Sequence, residues 1–297
     1  MLSIKTCFIK INLTLRVLCR RDDGYHDVVS TYMRLPSPEV LRIATQPAGE
    51  DEVWVHGMEI PGDPKRNILF ATCAALRSIA PAMPPLRMDL YKHLPAGSGL
   101  GAGSGNAAAL IHWFERSVYA GGRRVGVWSA VRLGADVAFL ASGNDLLLAE
   151  GVGEELRPFG DAPDLLPVIF FPRWRSDTAE AYAAVDCLRA GGSATITAGR
   201  DAVSEASAVL QGLRMGSKIG LLPNDFIHCM KPWQSCYNSL YKALDDCGAV
   251  AWGLCGSGSS SFALFERSGA AERLARLDEK LGSGCGFDWL EQTLVAE

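Results

Sequence analysis

Residues 94 to 110 read LPAGSGLGAGSGNAAAL, with five glycines in nine positions from Gly97 to Gly105 and alanines behind them. The segment before it, LRMDLYKHL (Leu86 to Leu94), alternates like a strand, and Ala107 to Tyr119 has the composition of a helix. A strand passing through glycines into a helix makes a site where backbone N–H groups and the positive helix end favour an anion. Glycine matters there because the backbone approaches phosphate oxygens with no Cβ in the way. A flexible surface turn is the plain alternative, but such a turn has little use for so many glycines against a helix.

Three phosphate-binding patterns fail on this stretch. Walker A needs a Lys after its last Gly, and here Gly105-Asn106 follow Gly103-Ser104. A dinucleotide fingerprint can be laid on Gly97, Gly99 and Ala102, but no acidic residue closes a second strand about 20 residues on. A protein-kinase glycine loop lacks its V-A-I-K strand and H-R-D loop.

The chain has 297 residues, room for one large domain or two ordinary ones. No uninterrupted apolar run approaches the roughly 20 residues of a membrane span, so neither a membrane nor a membrane partner is expected. MLSIKTCFIKINLTLRV alternates and reads as a strand rather than a signal peptide, which places the chain in the cytoplasm. Nine scattered cysteines without a C-x-x-C pair read as reduced thiols. A net charge of −4 with no Lys/Arg block longer than a pair argues against nucleic acid. A small phosphorylated ligand remains, held by backbone amides and one or two cations.

Residues 5 to 19 form a strand with Ile9, Ile11, Leu13, Leu15 and Val17 on one face and Lys10, Asn12, Thr14 and Arg16 on the other. A turn at RRDDGYHD leads to a second strand and presents Tyr25 and His26 at its mouth. Short strands are expected near Val40 to Thr45 and Val53 to Val55, then a helix from Asn67 to Ile79 ended by PAMPP. Beyond the glycine stretch come a short helix near Ser129 to Leu133, a loop GADVAFLASGN, a hairpin turning at Gly151 to Gly153, and a buried strand at Asp164 to Pro172. Helices follow at about 178–190, 198–213 and 225–246, then two strands around a Gly/Ser turn at Gly256 to Ser259, a helix at about 268–281 and a last strand. The pattern is α+β with a boundary near residue 160.

The stretch PAGSGLGAGSGNAAA resembles the phosphate loop of the GHMP kinases. KINLTLRVLCRRDDGYHDV, GADVAFLASG, AEGVGE, SDTAEAYAAVD, NDF and LCGSGSSSFALF follow the order seen in the branch of that family that phosphorylates 4-diphosphocytidyl-2-C-methyl-D-erythritol. The resemblance spans residues 5 to about 266. It implies a two-domain α/β sandwich: residues 1–160 like the second domain of ribosomal protein S5 and binding ATP, and residues 161–297 ferredoxin-like, with the site between them. It also implies an ATP-dependent kinase, with Mg2+, acting on the 2-hydroxyl of that cytidine diphosphate derivative in isoprenoid precursor synthesis, as a monomer or homodimer. A GHMP kinase for another small alcohol, or a silent nucleotide-binding relative, are the alternatives.

By this resemblance Lys10 stabilises the reacting oxygen, although a strand lysine alone is usually solvated, and Asp136 takes the acceptor's proton, although it also suits a helix N-cap. Asn12 orients substrate, and Tyr25, His26 and Tyr182 hold the cytosine; for Tyr182 a helix-face core position is nearly as good. ATP falls to Pro95, Ala96, Gly97, Ser98, Gly99, Leu100, Gly101, Ala102, Gly103, Ser104, Gly105 and Asn106. Gly256, Ser257 and Gly258 form a third motif packed on that loop. Asn67 lies near the adenine or simply caps a helix, and Lys92 reaches a phosphate or lies along solvent. The sequence departs from the family at Gly105, where a serine is usual and its hydroxyl helps hold Mg2+ or phosphates, and at Phe8-Ile9, where Pro-Ala is usual. No metal ligand is assigned; Ser104 or a water could replace the missing hydroxyl.

Overall fold

The computed structural model describes residues 2–118, 132–192, 195–282, 287 and 289–296. Its strands are β1 (Leu2–Arg20), β2 (His26–Thr45), β3 (Glu52–Gly57), β4 (Leu86–Lys92), β5 (Leu146–Glu150), β6 (Glu155–Pro158), β7 (Leu165–Pro172), β8 (Gly220–Leu221), β9 (Ala251–Leu254), β10 (Ser261–Glu266) and β11 (Leu290–Val295). Its helices are α1 (Ile68–Ile79), α2 (Ala102–Ser117), α3 (Ala135–Ser142), α4 (Thr178–Ala190), α5 (Gly199–Arg214), α6 (Gln234–Asp246) and α7 (Ala270–Gly282). The helix expected near Ser129 to Leu133 falls largely outside the described residues, as does Tyr119.

One sheet has the order β3-β4-β2-β5-β6 with β1 also paired to β2, and the other the order β11-β7-β10-β9-β8. Chain contacts form two compact units: Met1–Lys10, Arg34–Ala96 and Gly101–Asp145 make one, and Ile11–Met33, Gly97–Leu100 and Leu146–Glu297 the other.

In the first unit β4 turns Leu86, Met88 and Leu90 inward, and β2 adds Leu41 and Ile43. Leu69, Cys73 and Leu76, at helical spacing on α1, are fully buried, and α1 packs on α2, which packs on α3. In the second unit β7 is buried at every position, because it pairs on both edges with β10 and β11. Its Val168 and Phe170 join Ala263 and Phe265 of β10, Trp252 and Leu254 of β9, and Tyr237, Leu240, Tyr241 and Leu244 of α6 in one core.

Several elements depart from expectation. The strand at Val40 to Thr45 is the end of the 20-residue β2. Its Pro36 and Pro38 lie between Ser30–Met33, which pair with β5, and Val40–Thr45, which pair with β4, so neither ladder loses an N–H. The expected helix at 225–246 is two 3-10 turns, Asp225–Cys229 and Lys231–Trp233, before α6 starts at Gln234; Pro232 lies at the break. GADVAFLASGN is not a loop: it holds α3, whose Val137 to Ala141 are all buried, so no apolar stripe marks it. Helix α2 starts at Ala102, five residues before the alanine run. Both faces of β1 are buried between Ile9 and Thr14, since Lys10, Asn12 and Thr14 are buried as Ile9, Ile11 and Leu13 are. Arg16 is held on that strand by Glu205, with two bonds of 2.7 Å, and by Asp225 at 2.6 Å.

Candidate active site

Lys10 and Asp136 meet. The Lys10 Nζ lies 3.6 Å from Asp136 Oδ2, with the lysine side chain buried and the aspartate side chain 31% exposed. Strand β1 carries the lysine inward, and the first turn of α3 carries the aspartate. Asp136 is not the cap of that helix; Gly134 holds that place. A Cβ placed on Gly101 would come 3.0 Å from Asp136 Oδ2, so the carboxylate lies directly against the residue that precedes α2. A buried cation, a half-open carboxylate and the head of a 16-residue helix thus share one corner. Such a corner can take a proton and stabilise oxygen anions.

The glycines on either side of Gly101 have two separate duties. At Gly99, with φ +79°, a Cβ would stand 1.9 Å from the Cys255 carbonyl oxygen and 2.8 Å from that of Gly258. The Ser260 N–H donates to Ser98 O at 3.3 Å. The Gly256 to Ser259 turn is therefore pressed onto residues 98 and 99. At Gly105 a Cβ would stand 1.8 Å from the Phe8 carbonyl oxygen. That direction points into β1, so a side chain at 105 would be turned toward that strand's backbone. Ser104, half-buried beside it in the first turn of α2, carries a hydroxyl at the helix end of the loop.

Lys92 does not lie along solvent. Its ammonium is buried and pairs with the fully buried Glu39. Glu39 Oε1 also accepts from the Leu94 N–H at 3.1 Å, and Oε2 from Asn106 Nδ2 at 2.7 Å. Asn106 reaches Cys7 Sγ at 3.4 Å as well, and burial pushes that thiol up to about 12. Lysine in a strand beside apolar core avoids the cost of an isolated charge only by such pairing.

In the second unit His26 Nε2 bonds to Asp186 Oδ1 at 2.8 Å, and its ring stacks on Tyr182 with centroids 4.9 Å apart. Tyr182 and Asp186 are four residues apart on α4 and so share a face. Tyr182 also meets Phe226 edge-on at 4.9 Å. Tyr25 is 66% exposed, its backbone N–H accepted by Asp23 Oδ1 at 3.0 Å. Asn12 donates from Nδ2 to Ser30 Oγ at 2.8 Å and accepts the Gly256 N–H at 3.0 Å, so it ties β1 to the third motif. Asn67 caps α1, accepting the Leu69 N–H at 3.0 Å.

Over 291 residues the chain is 32% identical to a 4-diphosphocytidyl-2-C-methyl-D-erythritol kinase of Nitratidesulfovibrio vulgaris strain Hildenborough, covering 93% of each. The chain belongs to that family of GHMP kinases. Residues 237–281 match the family described as GHMP kinases C terminal. A kinase of the same name from Solidesulfovibrio magneticus is 34% identical over 93% of this chain and 92% of its own. Among solved structures, a 4-(cytidine 5'-diphospho)-2C-methyl-D-erythritol kinase superposes with a TM-score of 0.76 at 25% identity, covering 99% of this chain and 98% of that one. The mevalonate kinase of L. major, at 15% identity and a TM-score of 0.64 over 99% of this chain and 95% of its own, shares the fold.

The two-domain α+β architecture is thus that of the GHMP kinases. Two polar residues central to the geometry escaped the sequence reading, Glu39 and Asp186. Asp186 carries a signal that could have found it, since it stands four residues after Tyr182 within the quoted SDTAEAYAAVD. Glu39 has only the oddity of a lone acid between Pro38 and a run of β formers.

Proposed function

We propose that this GHMP kinase transfers the γ-phosphoryl group of ATP to the 2-hydroxyl of 4-diphosphocytidyl-2-C-methyl-D-erythritol. The observation that carries the reading is the Lys10–Asp136 pair lying against Gly101 at the head of α2. Asp136 accepts the hydroxyl proton, the freed oxygen attacks the γ-phosphorus, and the bond to the β,γ-bridging oxygen breaks to release ADP. Lys10 stabilises the negative charge developing on the attacking oxygen. The loop from Pro95 to Asn106 cradles the phosphates with backbone N–H groups, and Gly256, Ser257 and Gly258 brace it.

Magnesium suits this donor set as a companion of ATP rather than a resident ion. Among the described residues no three His, Cys, Asp or Glu side chains gather into a metal cage, and Mg2+ in kinases takes most of its ligands from phosphates and water. Ser104 is the residue that would reach it, with water and phosphates for the rest, and it would supply neutralisation of the β- and γ-phosphate oxygens. His26, Tyr25 and Tyr182 take the cytosine, His26 with Asp186 behind it, and Asn12 orients the substrate side through the third motif it holds. Asn67 borders the adenine through the helix it caps, whereas Lys92 serves the loop from within the core. We assign residues 1–160 to the ATP-binding domain and 161–297 to the C-terminal domain, with the protein working in the cytoplasm as a monomer or homodimer.

Single-turnover transfer from labelled ATP to the cytidylated substrate tests the reading. Transfer is expected with wild-type protein, and Asp136→Asn should lower it by at least about a hundredfold while ATP still binds. Transfer only to some other alcohol, or undiminished turnover in the variant, would overturn the assignment.

A further inference from the structure

We infer that Glu39 is a positioning residue that presets the phosphate loop for ATP by holding both of its ends. The inference rests on the proposed ATP-binding role of that loop. Glu39 lies on β2, fully buried, and its carboxylate has three partners: the Lys92 ammonium at the end of β4, the Leu94 N–H just before Pro95, and the Asn106 side chain in the second turn of α2. Leu94 and Asn106 bracket the glycine stretch, so one side chain fixes where the loop leaves the sheet and where it becomes helix.

Burying an ion pair is weak ground for stability, because two well-packed apolar residues of similar size often serve as well. Stability alone therefore does not account for Glu39 and Lys92 here. Geometry does. Between the two anchored ends stand Gly97, Gly99 and Gly101, all at positive φ, and a glycine-rich segment has much conformational freedom to lose when it closes on a ligand. Fixing both ends beforehand removes part of that loss from the binding step, which is the usual route from rigidity to affinity. Lys92 has a supporting part: it neutralises the carboxylate so that it can remain in the core while accepting from both ends of the loop.

A pair of double variants separates this role from a purely structural one. In E39Q/K92M both charges are gone, but the new side-chain carbonyl can still accept the Leu94 N–H, and its NH2 can donate to Asn106 Oδ1 once that side-chain amide turns over. In E39M/K92M the charges are gone and both ends are released. A merely structural pair would leave the two variants with the same ATP affinity wherever both are folded. The positioning role predicts that E39M/K92M binds ATP about tenfold more weakly than E39Q/K92M, with the KM for ATP following and kcat changing less, as expected for loss of about one hydrogen bond to a buried group. ATP binding is read by calorimetry without the second substrate. Equal affinities in the two variants overturn the inference, whereas failure of the wild-type protein to bind ATP overturns the ATP reading itself. If E39M/K92M does not fold, Glu39→Asp keeps the charge but draws the carboxylate back by one methylene. A several-fold weaker ATP affinity is then expected, and an unchanged one refutes the proposal.

Discussion

The carbonyl oxygen of Phe8 lies 1.8 Å from where a Cβ on Gly105 would stand, so helix α2 rides directly on the backbone of β1. This contact accounts for the glycine at position 105. A hydroxyl there would be driven into the strand rather than toward a phosphate. Phe8 itself stays in place with Arg34 over its ring at 4.4 Å.

Gly105→Ala should therefore destabilise the protein by about 1–3 kcal/mol, the range for forcing extra atoms into a packed interface. Gly103→Ala is the control, since a Cβ there meets nothing within 4 Å and the position is helical. It should gain up to about 1 kcal/mol from helix propensity. Denaturant unfolding of both variants decides the matter. If Gly105→Ala is as stable as Gly103→Ala, the close approach is not real.

His26 and Tyr182 were legible only as motif residues, and Asp186 completes their geometry. Replacing Asp186 with Asn keeps the size but exchanges a charge-assisted bond to His26 for a neutral one, and Asp186→Ala removes it. In steady-state kinetics the KM for the cytidylated substrate should rise several-fold with Asn and about tenfold with Ala, while the KM for ATP stays near its original value. Equal rises in both KM values would mean that Asp186 supports the fold generally and has no tie to the nucleoside.

What the sequence disclosed and what it withheld follow from how local each signal is. The strand, glycines and helix around residue 100 announce themselves through period and composition, α4 through its Asp177 cap, and α5 and α7 through their amphipathic pattern. Lys10 and Asp136 carry no local mark, and only the order of motifs pointed to them. Glu39 and His26 take their meaning from partners 67 and 160 residues away, Asn106 and Asp186, which no window of sequence contains. Helix α3 was hidden for the opposite reason: with Val137 to Ala141 all buried, it shows no alternation of polar and apolar faces to give a period. The start of α2 was misjudged because glycine is a poor helix former, and Gly103 and Gly105 are helical all the same, the second of them because the approach to Phe8 admits nothing larger.

Asp51 gives a test by pH. Its carboxylate accepts two bonds of 2.8 Å from Arg77 of α1 and one of 2.9 Å from the Leu86 N–H, so it ties the end of α1 to the start of β4 across the PAMPP turn. Burial alone would raise the Asp51 carboxyl, but the Arg77 hydrogen bonds, the Leu86 amide and the Arg77 charge together hold it below its ordinary value. A carboxyl lowered in the folded state binds its proton more readily when unfolded. Its stabilising effect is therefore complete above the unfolded value near 4 and declines as pH falls through the lower folded one. Asp51→Asn should cost about 1–2 kcal/mol at neutral pH, at the modest end for bonds to charged groups because a third of the Arg77 side chain is open to solvent. The gap between wild type and variant should hold steady from pH 7 to about 5 and narrow below about 4. Urea unfolding across that range measures it, and a gap that widens on acidification would show that the carboxylate is not held in its charged form by Arg77.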